Sequence, residues 1–236
     1  MLPPALEVKN LTVRHDKRQV LRNITFSAER HELITLLGGD PVIRSALFHA
    51  ITGMNTERDG SIRIHGMEAI HLSVEQIAHL GVGYKTAARA SQFELSSEDN
   101  LLLPLPGLSA SLGGGMSLAE IYDLLPELHD KKNLPVAQLS AGERKMLSIA
   151  RILRTGANLL LLDELSAGLA PISEVSIKRT LLRLKQSGYT IVMSESDLHF
   201  AAHLSDRIYW LETDALSSPS HTLTSPSIDI GYQAVL

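Results

Sequence analysis

The sequence contains no cysteine, so the protein can form neither disulfide bonds nor metal sites with thiolate ligands. No apolar run approaches the roughly 20 residues with which a helix crosses a bilayer. The opening residues also lack the basic region and the long apolar core of a signal peptide. These absences fit a protein of the reducing cytoplasm that carries no membrane span of its own.

The charge and the composition limit the class of protein further. A formal net charge of −4 argues against nucleic acid as the main partner. The chain has 236 residues, of which 44% are hydrophobic, so one large domain or two lobes can bury a sizeable core. The sequence shows no internal repeat.

The most informative stretch runs from Leu139 to Ala170. Its first part, from Ser140, places apolar residues at the spacing i, i+3, i+4, i+7, which predicts an amphipathic helix. Its second part is an aliphatic run from Leu159 to Leu162, which predicts a strand buried on both faces of a parallel sheet. Asp163 and Glu164 follow this run, where the strands of open α/β sheets end and ligands bind.

Each part also has a purely structural interpretation. Ser140 and Glu143 form the pattern of a capping box, which does no more than satisfy backbone donors at the start of a helix. An Asp-Glu pair after a strand can be a solvated turn. Short motifs of this kind are weak signals one at a time, but here the two follow each other in a fixed order about twenty residues apart, which is far more specific.

In this order the motifs resemble the signature motif, the Walker B strand and the D-loop of ATP-binding cassette (ABC) ATPases. The signature reads LSAGE here instead of LSGGE, and the run LLLLDELSAGLAP is close to the subgroup that powers uptake of branched-chain amino acids, urea and amides. The resemblance implies an α/β fold, the P-loop NTPase ABC-cassette fold with two lobes. One lobe is a RecA-like core with an antiparallel β subdomain, and the other is a helical subdomain at about residues 85–153. The resemblance predicts a cassette over residues 5–212, followed by a Ser/Pro-rich C-terminal tail at residues 213–236.

The resemblance also implies roles for individual residues. Glu164 is the expected catalytic base, and Ser45 and Asp163 are expected to bind Mg²⁺. The other implied site residues are the nucleotide-binding set His15, Gly38, Gly39, Arg44 and Ser45, the signature residues Leu139, Ser140, Ala141, Gly142 and Glu143, and the D-loop residues Ser166, Ala167, Gly168 and Leu169. His15 stands where the family has an aromatic residue that stacks on adenine, although an exposed loop histidine fits the pattern equally well. The implied cofactors are ATP and Mg²⁺, bound weakly or shared with a partner cassette.

The phosphate-binding loop departs from the family pattern G-x-x-x-x-G-K-[ST]. Gly38 and Ser45 match the pattern, whereas Ile43 replaces the second glycine, Arg44 the lysine and Pro41 a further glycine. Proline has no N–H to offer to a phosphate, a β-branched residue resists a positive φ, and a guanidinium is bulkier than an ammonium. We therefore expect a loop from Gly38 to Ser45, followed by a helix, with weak or absent affinity for nucleotide.

Two further positions lack the side chains that the family carries. Ala87 stands where a glutamine reaches the catalytic Mg²⁺, and Ser196 stands where a histidine senses the γ-phosphate. These losses affect the chain's own site, whereas the signature and the D-loop that it would lend to a second cassette are nearly complete. We therefore expect the degenerate, weakly active half of an asymmetric pair in an importer, bound to integral membrane permeases at the inner face of the cell membrane.

Two other functions remain open at this stage. The chain can be a pseudo-ATPase that serves as a regulator or scaffold outside transport. It can also be an ordinary homodimeric ATPase that tolerates an altered loop. Turnover by the lone chain would favour the homodimer, and a second, intact cassette encoded nearby would favour the asymmetric pair. The transported substrate is selected by the permease and the binding protein, so this sequence does not specify it.

Overall fold

The computed structural model describes residues 2–15, 18–85, 92–103, 115–211 and 220–221. Its strands are β1 (Leu6–His15), β2 (Arg18–Ala28), β3 (Leu33–Gly38), β4 (Arg58–Ile64), β5 (Met67–Glu68), β6 (Val82–Lys85), β7 (Leu159–Asp163), β8 (Thr190–Glu195), β9 (Arg207–Leu211) and β10 (Ser220–His221). Its helices are α1 (Pro41–Ile51), α2 (Val74–His79), α3 (Ser97–Leu102), α4 (Leu118–Leu124), α5 (Pro126–Asp130), α6 (Ala141–Leu153), α7 (Pro171–Gln186) and α8 (Leu198–Ala202).

Four strands near the N-terminus form an antiparallel sheet in the order β2-β1-β4-β5. Val8 in β1 pairs with Phe26 on one side and with Ile62 on the other. All three side chains are buried, because alternate residues of each strand face the same side of the sheet. The antiparallel β subdomain that the resemblance implies is therefore present.

Six strands form the second sheet, in the order β10-β9-β3-β8-β7-β6. All of its pairs are parallel except that between β10 and β9. Every residue of β7 is buried. Leu159 and Leu161 pack into a core with the antiparallel sheet and α1, whereas Leu160 and Leu162 pack into a second core with α6 and α7. The predicted strand buried on both faces is confirmed.

Helices α3 to α6 lie within the segment for which the sequence predicted a helical lobe. Two short helices of this segment, α4 and α5, meet at Leu125. Pro126 explains the break, because its ring disfavours the helical conformation of the residue before it. The limits of the lobe, residues 85 and 153, stay a prediction.

Candidate functional site

The carboxyl ends of the parallel strands bring the predicted site residues together. Ser45 Oγ, in α1, donates a 3.2 Å hydrogen bond to Asp163 Oδ2 at the end of β7. The other carboxylate oxygen of Asp163 accepts a hydrogen bond from Ser194 Oγ, and Lys85 Nζ donates to the Asp163 carbonyl oxygen at 2.9 Å. Glu164 follows directly and has a positive φ of 45°. The two residues predicted to bind Mg²⁺ and the predicted base therefore lie at one edge of the sheet.

The phosphate loop is shorter than the sequence indicated. Helix α1 begins at Pro41, and its N-cap is Asp40, whose carboxylate accepts a 2.7 Å hydrogen bond from the backbone N–H of Val42. The expectation of a loop extending from Gly38 to Ser45 is therefore wrong. Pro41 sits at the first helical position, where no intrahelical bond needs its missing N–H. Ile43 lies inside the helix, so the strain expected from a positive φ at this residue is absent.

Arg44 was expected to bind the nucleotide, but in the structure its guanidinium binds groups of the protein itself. Its Nη1 donates to the carbonyl oxygen of Gly38 at 2.9 Å and to that of Gly39 at 2.7 Å. Its Nη2 forms an ion pair with Glu164 Oε1, and only 2% of the Arg44 side chain is exposed. The loop thus presents acceptors to a cation, which is the reverse of the N–H donors that cradle a phosphate.

The residues fit Mg²⁺ better than they fit a triphosphate. The hydroxyl of Ser45 and the carboxylate of Asp163 supply the oxygen ligands that Mg²⁺ takes in proteins, and they lie in contact. A triphosphate would need free N–H groups at the start of α1, and Asp40 already binds one of them. With Arg44 in this position, the loop directs the carbonyl oxygens of Gly38 and Gly39 at a guanidinium.

A cavity of about 590 Å³ lies beside the N-terminal part of α1. His15, at the end of β1, lines it together with Val42, Ser45 and His49. Burial lowers the pKa of His49, against an opposing effect of the Asp163 charge. His15 is exposed and faces the cavity, so its position agrees both with a stacking residue and with an exposed loop histidine.

The signature segment forms the capping box that its sequence pattern allows. Ser140 Oγ accepts a 3.2 Å hydrogen bond from the backbone N–H of Glu143, and Glu143 Oε2 accepts one of 2.8 Å from the N–H of Ser140. Gly142 is buried against α7, where a Cβ atom on it would lie 2.4 Å from Ser173 Cβ. The segment therefore has a structural role in starting α6 and in packing it on α7, whatever it offers to a partner.

The turn after β7 is held by two charged residues that the sequence motifs did not include. Lys145, in α6, binds backbone carbonyl groups of this turn, and Glu195, at the end of β8, binds its N–H groups. Burial, with the nearby charge of Lys85, lowers the pKa of Lys145 to about 8. Burial raises the pKa of Glu195. Glu195 is a carboxylate at the end of a buried strand, like Asp163, so the same sequence criterion could have identified it.

Ala87 and Ser196 are the two further positions that depart from the family pattern. Ala87 lies outside the described residues. Ser196 directly follows β8 and is exposed. Within the described ranges, no helix combines the length and the apolar character that crossing a membrane requires.

Comparison with known proteins identifies the family. The sequence model of the ABC transporter family matches residues 21–167. The chain belongs to the ABC transporter family. Within an ABC transporter, this chain is the ATP-binding domain. The predicted fold class is confirmed.

Relatives of this ABC subunit include a branched-chain amino acid transport protein and a lipopolysaccharide export protein. It is 27% identical over 238 residues to the high-affinity branched-chain amino acid transport ATP-binding protein BraG of Pseudomonas aeruginosa. The alignment covers 96% of this chain and 98% of BraG. It is 27% identical over 206 residues to the lipopolysaccharide export system ATP-binding protein LptB of Escherichia coli K12. That alignment covers 86% of this chain and 85% of LptB. The crystal structure of a nucleotide-free ATP-binding cassette from an ABC transporter matches with a TM-score of 0.81 and 19% identity, over 93% of this chain and 92% of that one. At this identity the structural likeness shows the fold alone.

Proposed function

We propose that this ABC ATP-binding subunit is the degenerate half of an asymmetric pair of cassettes that powers an importer. The observation that carries the proposal is the ion pair between Arg44 and Glu164 inside the phosphate loop. The guanidinium takes the phosphate position, and the carboxylate of the expected base is bound to it. The chain's own loop then offers neither a free cradle for phosphates nor a free base, so hydrolysis takes place at the loop of the partner.

The start of α6 supports the second half of the proposal. The first N–H groups of a helix have no intrahelical acceptor, and the helix N-terminus attracts anions. The Ser140–Glu143 capping box uses two of the donors and leaves those of Ala141 and Gly142 outside it. These groups and the Ser140 hydroxyl are what the chain lends to a γ-phosphate held by the partner cassette.

Import of amino acids, urea or amides is the transport reaction that the similarities favour. The match to BraG, a transport protein for branched-chain amino acids, spans almost all of both chains. The run LLLLDELSAGLAP favours the same uptake subgroup. Genes for permeases, a periplasmic binding protein and a second cassette beside this gene would support import.

The partners follow from the family. ABC ATP-binding subunits work as dimers with membrane permease subunits, and the proposal makes the second subunit an intact homologue. The chain would then lie at the inner face of the membrane, held there by the permeases. ATP and Mg²⁺ would be bound at the shared site on the partner's loop, and weakly or not at all at this chain's own loop.

Phosphate release by the purified pair tests the proposal. Ser140→Arg should abolish ATPase activity, because the long cation blocks the position of the partner's phosphate. Glu164→Gln should change the activity much less, because Glu164 faces a loop that binds no triphosphate. Lys9→Met, an exposed change on β1, serves as the control and should leave the activity unchanged.

The other outcomes decide between the alternative functions. Equal loss from both substitutions would mean that the chain's own site is catalytic, as in an ordinary homodimer. No loss from either would favour a regulator or scaffold. Hydrolysis by the lone wild-type chain would also contradict the asymmetric pair.

A further inference from the structure

Lys145 binds, from one side, the turn that follows β7. This turn consists of residues 164–167 and includes the first two residues of the D-loop. Lys145 Nζ donates to the carbonyl oxygen of Glu164 at 3.1 Å and of Leu165 at 2.6 Å, and it also binds that of Ala167. An ammonium group has three N–H donors. The three carbonyl oxygens therefore use the full hydrogen-bonding capacity of this lysine.

Glu195 binds the same turn from the other side. Its Oε1 accepts hydrogen bonds from the N–H of Leu165 at 2.7 Å and of Ser166 at 3.1 Å. Its Oε2 accepts one from Ser166 Oγ at 2.5 Å. The residue is fully buried, and burial of a charged group is costly unless hydrogen bonds compensate it. The turn supplies that compensation, so the carboxylate and the turn require each other.

The contacts also fix the backbone at Glu164. This residue has a φ of 45°, which is unfavourable for a residue with a side chain. Its N–H donates to the carbonyl oxygen of Ser194 at 3.0 Å, and its own carbonyl oxygen is held by Lys145. Both peptide groups that flank the strained residue are therefore bound to neighbouring elements.

We infer that Lys145 and Glu195 are positioning residues that preset the D-loop for the partner cassette. The inference rests on the proposed function, in which this chain lends its D-loop and its signature segment to a partner. Lys145 lies two residues after the signature on α6, so it links the two lent segments directly. Glu195 links the turn to the end of β8. Hydrogen bonds to charged groups are the stronger ones, which suits them to holding a single conformation.

Hydrogen exchange of the lone chain tests whether these residues hold the turn. Lys145→Met keeps the length of the side chain but removes its donors, and Lys145→Arg keeps a charged donor. The amides of Leu165 and Ser166 should exchange about tenfold faster or more in Lys145→Met, through local opening of the turn, and stay near wild type in Lys145→Arg. Lys9→Met, which also removes one lysine, should leave them unchanged. Unchanged exchange in Lys145→Met overturns the inference.

A second variant is available in case Lys145→Met does not fold. Amides of β3 should keep the wild-type exchange rate in every variant that is interpreted. If Lys145→Met does not fold, Glu195→Gln replaces it, since an amide cannot accept all three hydrogen bonds of the carboxylate. The Ser166 amide should again exchange faster, and wild-type exchange there overturns the inference.

ATPase activity of the pair tests the link to the partner. Lys145→Met should lower kcat about tenfold or more while KM for ATP stays within about twofold, because a misplaced D-loop affects the reacting geometry at a site that another chain builds. Lys145→Arg should restore most of kcat. Faster exchange with an unchanged kcat overturns the positioning role. An inactive wild-type pair overturns the proposed function, and with it that role, but leaves the exchange result standing.

Discussion

Breaking the ion pair between Arg44 and Glu164 should destabilise the protein, and a double-mutant cycle can measure the effect. Arg44→Met keeps the apolar stem of the side chain but removes the charge and the donors to Gly38 and Gly39. Glu164→Gln keeps the shape of the side chain and removes its charge. The double variant removes both charges at once, so it separates the interaction from the effects of each change.

The structure sets the expected magnitude. Arg44 is 2% exposed, so Glu164→Gln leaves a buried cation without its counter-ion, which costs about 3–5 kcal/mol in a fully buried pair. Because 33% of Glu164 is exposed, solvent screens this pair, and we expect about 2 kcal/mol. Arg44→Met removes three hydrogen bonds to a charged group and should cost about 3 kcal/mol, less than their sum because water can reach the freed carboxylate. The double variant should also lose about 3 kcal/mol, which gives a coupling energy of about 2 kcal/mol.

Urea unfolding of the four proteins provides the measurement. The dependence of the free energy on urea should be the same in all four, since only then does a change in midpoint report a change in stability. The pair of Lys9 and Glu7, in which the lysine is 54% exposed instead of buried, offers a control whose cycle should give a coupling below about 1 kcal/mol. A coupling below about 0.5 kcal/mol at Arg44 and Glu164 would refute the reasoning that the guanidinium is committed to the loop.

Three further predictions concern the loop, the signature segment and the turn after β7. Titration of the lone chain with Mg²⁺-ATP should show no sub-millimolar affinity, and Arg44→Ala should bind more tightly; tight binding by wild type would contradict the proposal. Gly142→Ala should lower the free energy of unfolding in urea by about 1–3 kcal/mol, because the new Cβ would lie 2.4 Å from Ser173 Cβ, and adding Ser173→Gly should restore part of the loss. Because the pKa of Lys145 falls from 10.5 to about 8 on folding, the unfolded state holds more protons between these values. The free energy of unfolding of wild type should therefore rise relative to Lys145→Met as the pH increases from 8 towards 10.5, and a relative fall would contradict the lowered pKa.

The strands were predictable because burial imposes a period on them. Leu159 to Leu162 alternate between two cores, so an unbroken aliphatic run was the only pattern compatible with that position. The carboxylates that follow such a strand must lie at the edge where parallel strands end, and Ser45 joins Asp163 there. These features depend on local patterns and on the geometry of any parallel sheet.

The loop was mispredicted because a family pattern was given priority over local signals. Asp40 followed by Pro41 is the signature of a helix start, with an N-cap acid and a proline at the first helical position. The glycine-rich family pattern instead predicted a loop that extends to Ser45, in which Pro41 weakens phosphate binding. The structure starts α1 at Pro41, so within residues 38–45 only Gly38 and Gly39 have a positive φ.

The contacts of Arg44 could not be read from the sequence, since they depend on where its side chain points in the folded protein. The sequence showed only that a cation is retained at this position. In the structure, the shortened loop leaves Gly38 and Gly39 with carbonyl oxygens facing the guanidinium, and the end of β7 provides Glu164 as its counter-ion. The departures that the sequence shows one by one thus form a single arrangement in the structure, in which Arg44 binds Glu164 and the carbonyl oxygens of Gly38 and Gly39. A reversal of Arg44 alone would leave Asp40 still bound to the start of α1, so ATP affinity should recover only in part.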